Sequence, residues 1–113
     1  MNDCLFCKLA AGEIPTEKVF ENEHVFAFRD IAPQTPVHIL VIPKEHIASV
    51  ADITPENSYL LAKCYEAMTE IAKTEGLYNG FRVITNAGED SGQTVFHLHF
   101  HLMGGTQLGE RLV

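Results

Sequence analysis

Basic residues are scarce in this sequence. Its 113 residues include eight Lys and Arg against fifteen Asp and Glu, which gives a formal net charge of −7 at pH 7. An acidic chain without a cluster of basic residues is poorly suited to bind the phosphate backbone of nucleic acids or the surface of anionic membranes. We therefore expect neither nucleic acid nor membrane among its partners.

Long apolar runs are missing and cysteine is infrequent. No apolar stretch approaches the roughly 18–20 residues of a membrane-spanning helix, and the first residues lack the basic and apolar regions of a signal peptide. Three cysteines cannot all pair with one another. In a chain that is not exported, a Cys-x-x-Cys motif favours metal or redox chemistry over structural disulfides. These features predict a cytoplasmic protein.

The composition is that of one small folded domain. Hydrophobic residues make up 46% of the chain and charged residues 20%, close to the average of globular proteins, and the length allows a single domain over residues 1–113. Periodicity and turn signals predict a short helix capped by Asp3, strands at 18–21, 25–29 and 38–42, a long helix from 54–56 to Gly76, and strands at 81–86 and 95–103. This order predicts an α+β fold with a largely antiparallel five-stranded sheet.

Three of the six histidines stand two residues apart, at His97, His99 and His101. On a strand, this spacing places the imidazoles on one face, roughly 6.6 Å from one to the next. One interpretation is a polar face that happens to use histidine. A second is a metal site, although the outer two rings, roughly 13 Å apart along a strand, cannot easily bind one ion. A third gives the histidines separate roles as metal ligand, nucleophile, and proton or phosphate partner, and we favour it because it uses all three side chains.

A loop that contains glycine, residues 86–94, precedes the predicted last strand. Gly88 and Gly92 let successive backbone N–H groups approach an anion. Beside a row of imidazoles, this favours a phosphate site over an ordinary surface loop. The chain has neither Gly-Lys-Ser/Thr nor Gly-x-Gly-x-x-Gly, so the loop is neither a Walker nor a Rossmann loop.

Cys4 and Cys7 form the Cys-x-x-Cys motif. A redox disulfide is disfavoured because no thioredoxin-like strand precedes it. Zinc needs two further ligands, for which His46 and one histidine of the triplet are candidates on spacing alone. Cys64 lies on the apolar face of the long helix and is expected to be a buried core residue.

The segment His97-Leu98-His99-Phe100-His101-Leu102-Met103 matches the His-φ-His-φ-His-φ-φ signature of the histidine triad (HIT) superfamily, in which φ is an apolar residue. Further blocks resemble the nucleotide-binding Hint branch: Glu13-Ile14-Pro15, Ala27-Phe28-Arg29-Asp30-Ile31, Pro36-Val37-His38, Val41-Ile42-Pro43-Lys44 and Gly92-Gln93-Thr94-Val95-Phe96. The resemblance extends along nearly the whole chain. It implies a homodimer in which two five-stranded sheets join, with the long helix and a strand at the interface.

The same resemblance implies a hydrolase that cleaves purine nucleoside 5′-phosphoramidates at the α-phosphorus. His99 would be the nucleophile of a transient nucleotidyl-histidine, His101 would contact the phosphate and assist the leaving group, and His38 would support this network. Thr94 completes the implied catalytic set. Two alternatives stay open: a dinucleotide polyphosphate hydrolase or nucleotidyl transferase of the same fold, and a nucleotide-binding regulatory module with incidental hydrolysis.

The resemblance also implies the contacts of a purine nucleoside monophosphate. Asp30 matches the ribose contact. The positions that match phosphate contacts are Asn86, Gly92, Gln93, Thr94 and the backbone amide of Val95. Those that match the apolar slot for the base are Phe6, Ile14, Phe28 and Ile31.

A structural zinc ion is implied as well. Many bacterial relatives hold zinc with an N-terminal Cys-x-x-Cys, a histidine after the Pro-Lys turn, and the first histidine of the triad. These positions are Cys4, Cys7, His46 and His97 in this chain. Four protein ligands leave no open coordination position for catalysis, and no organic cofactor is implied.

Overall fold

The computed structural model describes residues 3–112, which form a five-stranded antiparallel sheet with one short and one long helix. The helices are α1 (Leu5–Ala10) and α2 (Tyr59–Thr74). The strands are β1 (Lys18–Glu21), β2 (Val25–Arg29), β3 (Val37–Pro43), β4 (Phe81–Ile84) and β5 (Phe100–Gly104). They lie in the order β1-β2-β3-β5-β4, and all neighbours are antiparallel. The predicted α+β class and order of elements are confirmed.

The two faces of the sheet carry different side chains. Ile39 and Val41 of β3 are fully buried in the core that includes α2. The residues that alternate with them belong to the opposite face, where Leu40 and Ile42 join a second apolar cluster with Phe6 of α1. Because side chains alternate along a strand, His38 lies on this second face. No helix in residues 3–112 is long and apolar enough to cross a membrane.

Helix α2 covers the first face with one stripe of side chains: Leu60, Cys64, Ala67, Met68, Ile71 and Ala72. It begins at Tyr59, later than predicted. Residues 55–58 form a turn, and the N–H groups of Leu60 and Leu61 donate to the carbonyls three residues before them, those of Asn57 and Ser58. It ends at Thr74, and the predicted stop, Gly76, follows the C-cap residue Glu75 with a φ of +74° that suits glycine. Cys64 is buried as expected, and burial raises its pKa to about 12.

Two further local predictions are wrong. The cap of α1 is Cys4 instead of Asp3, and its Sγ accepts from the Cys7 N–H at 3.2 Å. The last strand starts only at Phe100, so His97 and His99 lie in the segment before it. In this segment the backbone is no longer part of the sheet, and the Leu98 N–H donates to the carbonyl of Ile47, in a loop, at 2.7 Å. The alternation of side chains nevertheless continues, because Leu98, like Phe100, is buried in the α2-side core.

Candidate active site and metal centre

Four side chains converge at the start of α1. The Sγ of Cys4 lies 3.2 Å from Nδ1 of His97, and the Sγ of Cys7 lies 3.4 Å from Nδ1 of both His46 and His97. The two imidazole nitrogens are 3.2 Å apart. Tetrahedral zinc with bonds of roughly 2.0–2.3 Å needs ligand atoms roughly 3.3–3.8 Å apart. The four donor atoms therefore fit a metal ion of this kind, and the structure brings together the predicted ligand set.

His97 turns an unprotonated nitrogen toward this cluster. Its Nε2 lies 2.8 Å from the carbonyl oxygen of Pro43. Since a carbonyl can only accept, Nε2 carries the proton and Nδ1 keeps its lone pair. Burial lowers the pKa of His97 to about 4, so the ring is neutral at pH 7. A histidine that donates its second N–H to a carbonyl is typical of metal ligands in proteins.

His99 has the opposite tautomer. Its Nδ1 lies 2.7 Å from the carbonyl oxygen of His97 and carries the proton, which leaves the lone pair on Nε2. The hydroxyl of Thr85 donates to the carbonyl of His99 at 2.7 Å. The ring is 8% exposed and meets the ring of Phe6 edge to face, with 5.1 Å between centroids. An oriented, unprotonated nitrogen is what nucleophilic attack requires.

A second imidazole pair lies beside His99. Nε2 of His38 and Nδ1 of His101 are 2.9 Å apart, and the rings of His99 and His101 have centroids 5.2 Å apart. A carboxylate oxygen of Asp30 lies 3.4 Å from Nε2 of His38. Burial lowers the pKa of His38 and of His101, and the charge of Asp30 only partly opposes this. Both rings are therefore neutral at pH 7.

An apolar wall stands next to these histidines, on the sheet face away from α2. Phe6 packs edge to face against Phe28, with ring centroids 5.5 Å apart, and Ile14 packs at the margin of the same cluster. Ile31 lies outside this cluster and is 98% exposed. The structure thus brings together three of the four side chains predicted to form the apolar slot.

The loop between β4 and β5 is shaped by glycine and by Gln93. Gly88 and Gly92 have φ of +86° and +89°, which other residues rarely adopt. The side chain of Gln93 is 5% exposed; its Oε1 accepts from the Gly88 N–H at 2.8 Å, and its Nε2 donates to the carbonyls of Ala48 and Val95. Gln93 thus holds the loop through its side chain, and its predicted phosphate contact stays a prediction. The other predicted phosphate positions in this region are half-buried or exposed: Asn86, Thr94 and Val95.

Sequence reasoning missed the main-chain groups that orient the rings. The carbonyls of Pro43 and His97 decide which nitrogen of His97 and of His99 carries the proton. The sequence holds no signal for these groups, because every residue has the same carbonyl and only the fold decides which ring it meets.

The chain is similar to proteins of one family. A family model described as HIT domain matches residues 11–108. Protein HitA of Neisseria gonorrhoeae is 48% identical over 104 residues, which cover 92% of this chain and 97% of that protein. The purine nucleoside phosphoramidase of Escherichia coli (strain K12) is 40% identical over 111 residues, 97% of this chain and 93% of that protein. A solved HIT family hydrolase from Clostridium thermocellum superposes with a TM-score of 0.97 at 44% identity, over 100% of this chain and 99% of that one.

Proposed function

Since this chain belongs to the HIT domain family, we propose that it is a hydrolase of purine nucleoside 5′-phosphoramidates that cleaves the P–N bond at the α-phosphorus. The observation that carries the proposal is the pairing of two imidazoles, His99 oriented by the carbonyl of His97 through its Nδ1 and His101 at 5.2 Å between ring centroids. The 40% identity to a protein named purine nucleoside phosphoramidase supports this substrate class.

His99 is the proposed nucleophile. Its Nε2 attacks the α-phosphorus, so that an N–P bond forms while the bond from phosphorus to the amine breaks. The positive charge that develops on the ring is stabilised by the carbonyl of His97, which accepts from Nδ1 at 2.7 Å. Water then cleaves the nucleotidyl-histidine. Over both steps, water supplies a hydroxyl group to phosphorus and a proton to the amine, and His99 returns to its neutral form.

The other residues of the site bind the nucleotide in this proposal. His101 contacts the phosphoryl group and assists the departing amine, with His38 held against it at 2.9 Å. Backbone N–H groups of the glycine-containing loop stabilise charge on the phosphoryl oxygens. Asp30 binds the ribose, and the wall formed by Phe6 and Phe28 receives the purine.

Zinc is the proposed ion of the Cys4, Cys7, His46 and His97 cluster. Two thiolates and two imidazoles are donors that suit zinc. When bound, zinc supplies a four-coordinate cross-link and no open position for catalysis. The ligands themselves tie α1 to the segment before β5. Because α1 carries Phe6, this link also positions the apolar wall beside His99.

The proposed enzyme is a homodimer. In residues 3–112, β4 is the last strand of the sheet and pairs with β5 on one side only. Phe81 on β4 and Tyr65 on α2 are 45% and 50% exposed. A strand edge flanked by exposed aromatic rings favours pairing with a second copy, and such pairing would join two five-stranded sheets. The cytoplasmic location stays a prediction.

Hydrolysis of adenosine 5′-phosphoramidate tests the proposed function. We expect turnover by the wild type and a loss of at least about a thousandfold in His99→Ala. His24→Ala is the matched control, because it removes a histidine of the β1–β2 hairpin and should keep full activity. No turnover by folded, zinc-loaded wild type would contradict the proposal. Cleavage of a dinucleotide polyphosphate instead would favour the related hydrolase, and binding without cleavage of either would favour a regulatory module.

A further inference from the structure

The hydrogen-bond network around His38 starts at a main-chain group. The N–H of Gln34 donates to Nδ1 of His38 at 3.0 Å. A peptide nitrogen can only donate, so Nδ1 of His38 is the unprotonated nitrogen. In the neutral ring, the proton then lies on Nε2.

The tautomer of His38 determines that of His101. Nε2 of His38 lies 2.9 Å from Nδ1 of His101. Since the nitrogen of His38 carries the proton, Nδ1 of His101 accepts, and the proton of the neutral His101 ring lies on Nε2. His38 is 5% exposed, so water has little access to rearrange this pair.

The loop that carries Gln34 is held by further hydrogen bonds, one of which reaches the main chain of His38. The N–H of Asp30 donates to the carbonyl of His38 at 3.0 Å, and the carboxylate of Asp30 accepts from the Ala32 N–H at 2.8 Å. The side chain of Gln34 donates to the carbonyl of Ala32 at 3.0 Å. The two hydrogen bonds of Asp30 are sufficient to hold this loop, and with it the Gln34 amide, in place relative to the imidazole.

We propose that the main-chain amide of Gln34 is a positioning group that orders the protons of His38 and His101. The amide keeps an N–H on Nε2 of His101, next to a lone pair on Nε2 of His99. The site then offers a phosphoryl group one nitrogen lone pair and one N–H donor. The proton positions follow from the hydrogen-bond geometry alone. Their role toward a phosphoryl group rests on the proposed function.

The same proton positions give two clusters of potential metal ligands in residues 3–112 different abilities to bind an ion. The ligand atoms of Asp30, His38 and His101 lie within 4.8 Å of one another, as do those of the Cys4 cluster. To bind His38, a metal ion would need a lone pair on Nε2. This nitrogen carries a proton as long as the Gln34 N–H donates to Nδ1. The Gln34 amide therefore keeps divalent ions off this cluster, and both histidines stay available while the Cys4 cluster binds its ion.

Nitrogen NMR of the full-length chain, labelled with ¹⁵N-histidine, tests the proton order directly. We expect the Nε2–H tautomer for both His38 and His101 at pH 7.5. In the decisive variant, Gln34 is replaced by its α-hydroxy acid analogue, which exchanges the backbone N–H for an ester oxygen. This variant should raise the Nδ1–H population of both rings, while the Asp30 carboxylate, 3.4 Å from Nε2 of His38, still favours a proton on that nitrogen. Gln34→Ala is the matched control, because it loses the side chain, keeps the N–H and should keep both tautomers.

The outcomes separate the inference from the proposed function. An Nδ1–H tautomer at His38 in the wild type, or unchanged tautomers in the ester variant, would overturn the inference. With adenosine 5′-phosphoramidate, we expect kcat of the ester variant to fall at least about tenfold with little change in KM, and Gln34→Ala to retain activity. If the tautomers are as expected but the wild type does not turn over, the proposed function fails and the proton order stands. Reversed tautomers with unchanged kcat would remove the positioning role.

Titration with Co²⁺ tests whether the Gln34 amide keeps metal ions from binding to Asp30, His38 and His101. We expect one ion per chain in the wild type and in Gln34→Ala, and a second ion in the ester variant that broadens the His38 and His101 signals. A second ion on these histidines in the wild type would overturn the inference.

Discussion

At the scale of single residues, three identical side chains acquire two tautomers and three different sets of hydrogen-bond partners. His97 presents the lone pair of Nδ1 to two thiols, His99 keeps the lone pair on Nε2, and His101 accepts a hydrogen bond from His38. Each state follows from one neighbour that can only donate or only accept. The roles of a histidine row therefore depend on the hydrogen-bond partners of each ring more than on the spacing.

The buried imidazole pair makes the protein sensitive to acid. Burial lowers the pKa of His38 and His101 from the ordinary value of 6.5, so the unfolded chain takes up these protons at a higher pH than the folded chain. Their contribution to the free energy of unfolding is complete above about 6.5 and is lost as pH falls through the folded-state values. We expect NMR titration midpoints below 6.5 for both rings, and a smaller free energy of unfolding at pH 5.5 than at pH 7.5 at constant metal load. Midpoints at or above 6.5 would contradict this.

At the scale of elements, α1 is a helix of only six residues, too short to be stable by itself. Phe6 and Leu9 bury one side of it against the sheet, and the cysteines at its start reach the ligand cluster. The helix therefore depends on both the apolar cluster and the metal ligands.

Loss of a ligand should release this helix. In Cys7→Ser, we expect zinc content to fall from about one ion per chain toward zero, and protease cleavage near α1 to increase. With free zinc at about 100 times its Kd, losing the bound ion removes about 2.7 kcal/mol from the free energy of unfolding. Metal analysis and urea denaturation measure both effects.

Cys64→Ser is the matched control for the zinc experiment. This cysteine is fully buried in the α2-side core, so its substitution should lower stability by burying a hydroxyl group and leave the zinc content unchanged. Wild type that is purified without zinc and cannot take it up would contradict the proposed centre.

At the scale of the whole molecule, the free edge of the sheet is the feature that points beyond one chain. We expect light scattering at micromolar concentration to give twice the mass of a single chain. Phe81→Arg places a charge beside the β4 edge and should shift the mass toward the monomer. Ile31 is 98% exposed and lies in the loop between β2 and β3, so β3 and β5 separate it from the β4 edge. Ile31→Arg should therefore leave the dimer intact. A monomeric wild type would contradict the dimer.

The α+β class and the order of elements were predictable because hydrophobic periodicity is a local property of the chain. The apolar residues between the histidines pack in the core even where the strand has ended, as Leu98 shows. Strand ends were less predictable, since β5 begins only at Phe100, where it can pair with Val41 of β3. The start of α2 was also missed, because the N–H groups of Leu60 and Leu61 bond to carbonyls three residues back, which residue types do not reveal.

By itself, the sequence determined the family, the alternation of imidazole and apolar residues, and the four residues that meet in the metal cluster. The alternation is encoded in residue types and their spacing, whereas the four ligand positions followed from the family resemblance, because spacing alone left open which histidine of the triplet completes the set. Only the tertiary structure decided the proton positions, and for His97 and His101 the deciding groups lie far apart in the chain. The carbonyl of Pro43 meets His97 across 54 residues, and His38 meets His101 across 63. Folding brings these donors and acceptors together. Whether a neighbouring group donates or accepts then determines which nitrogen of each histidine carries the proton.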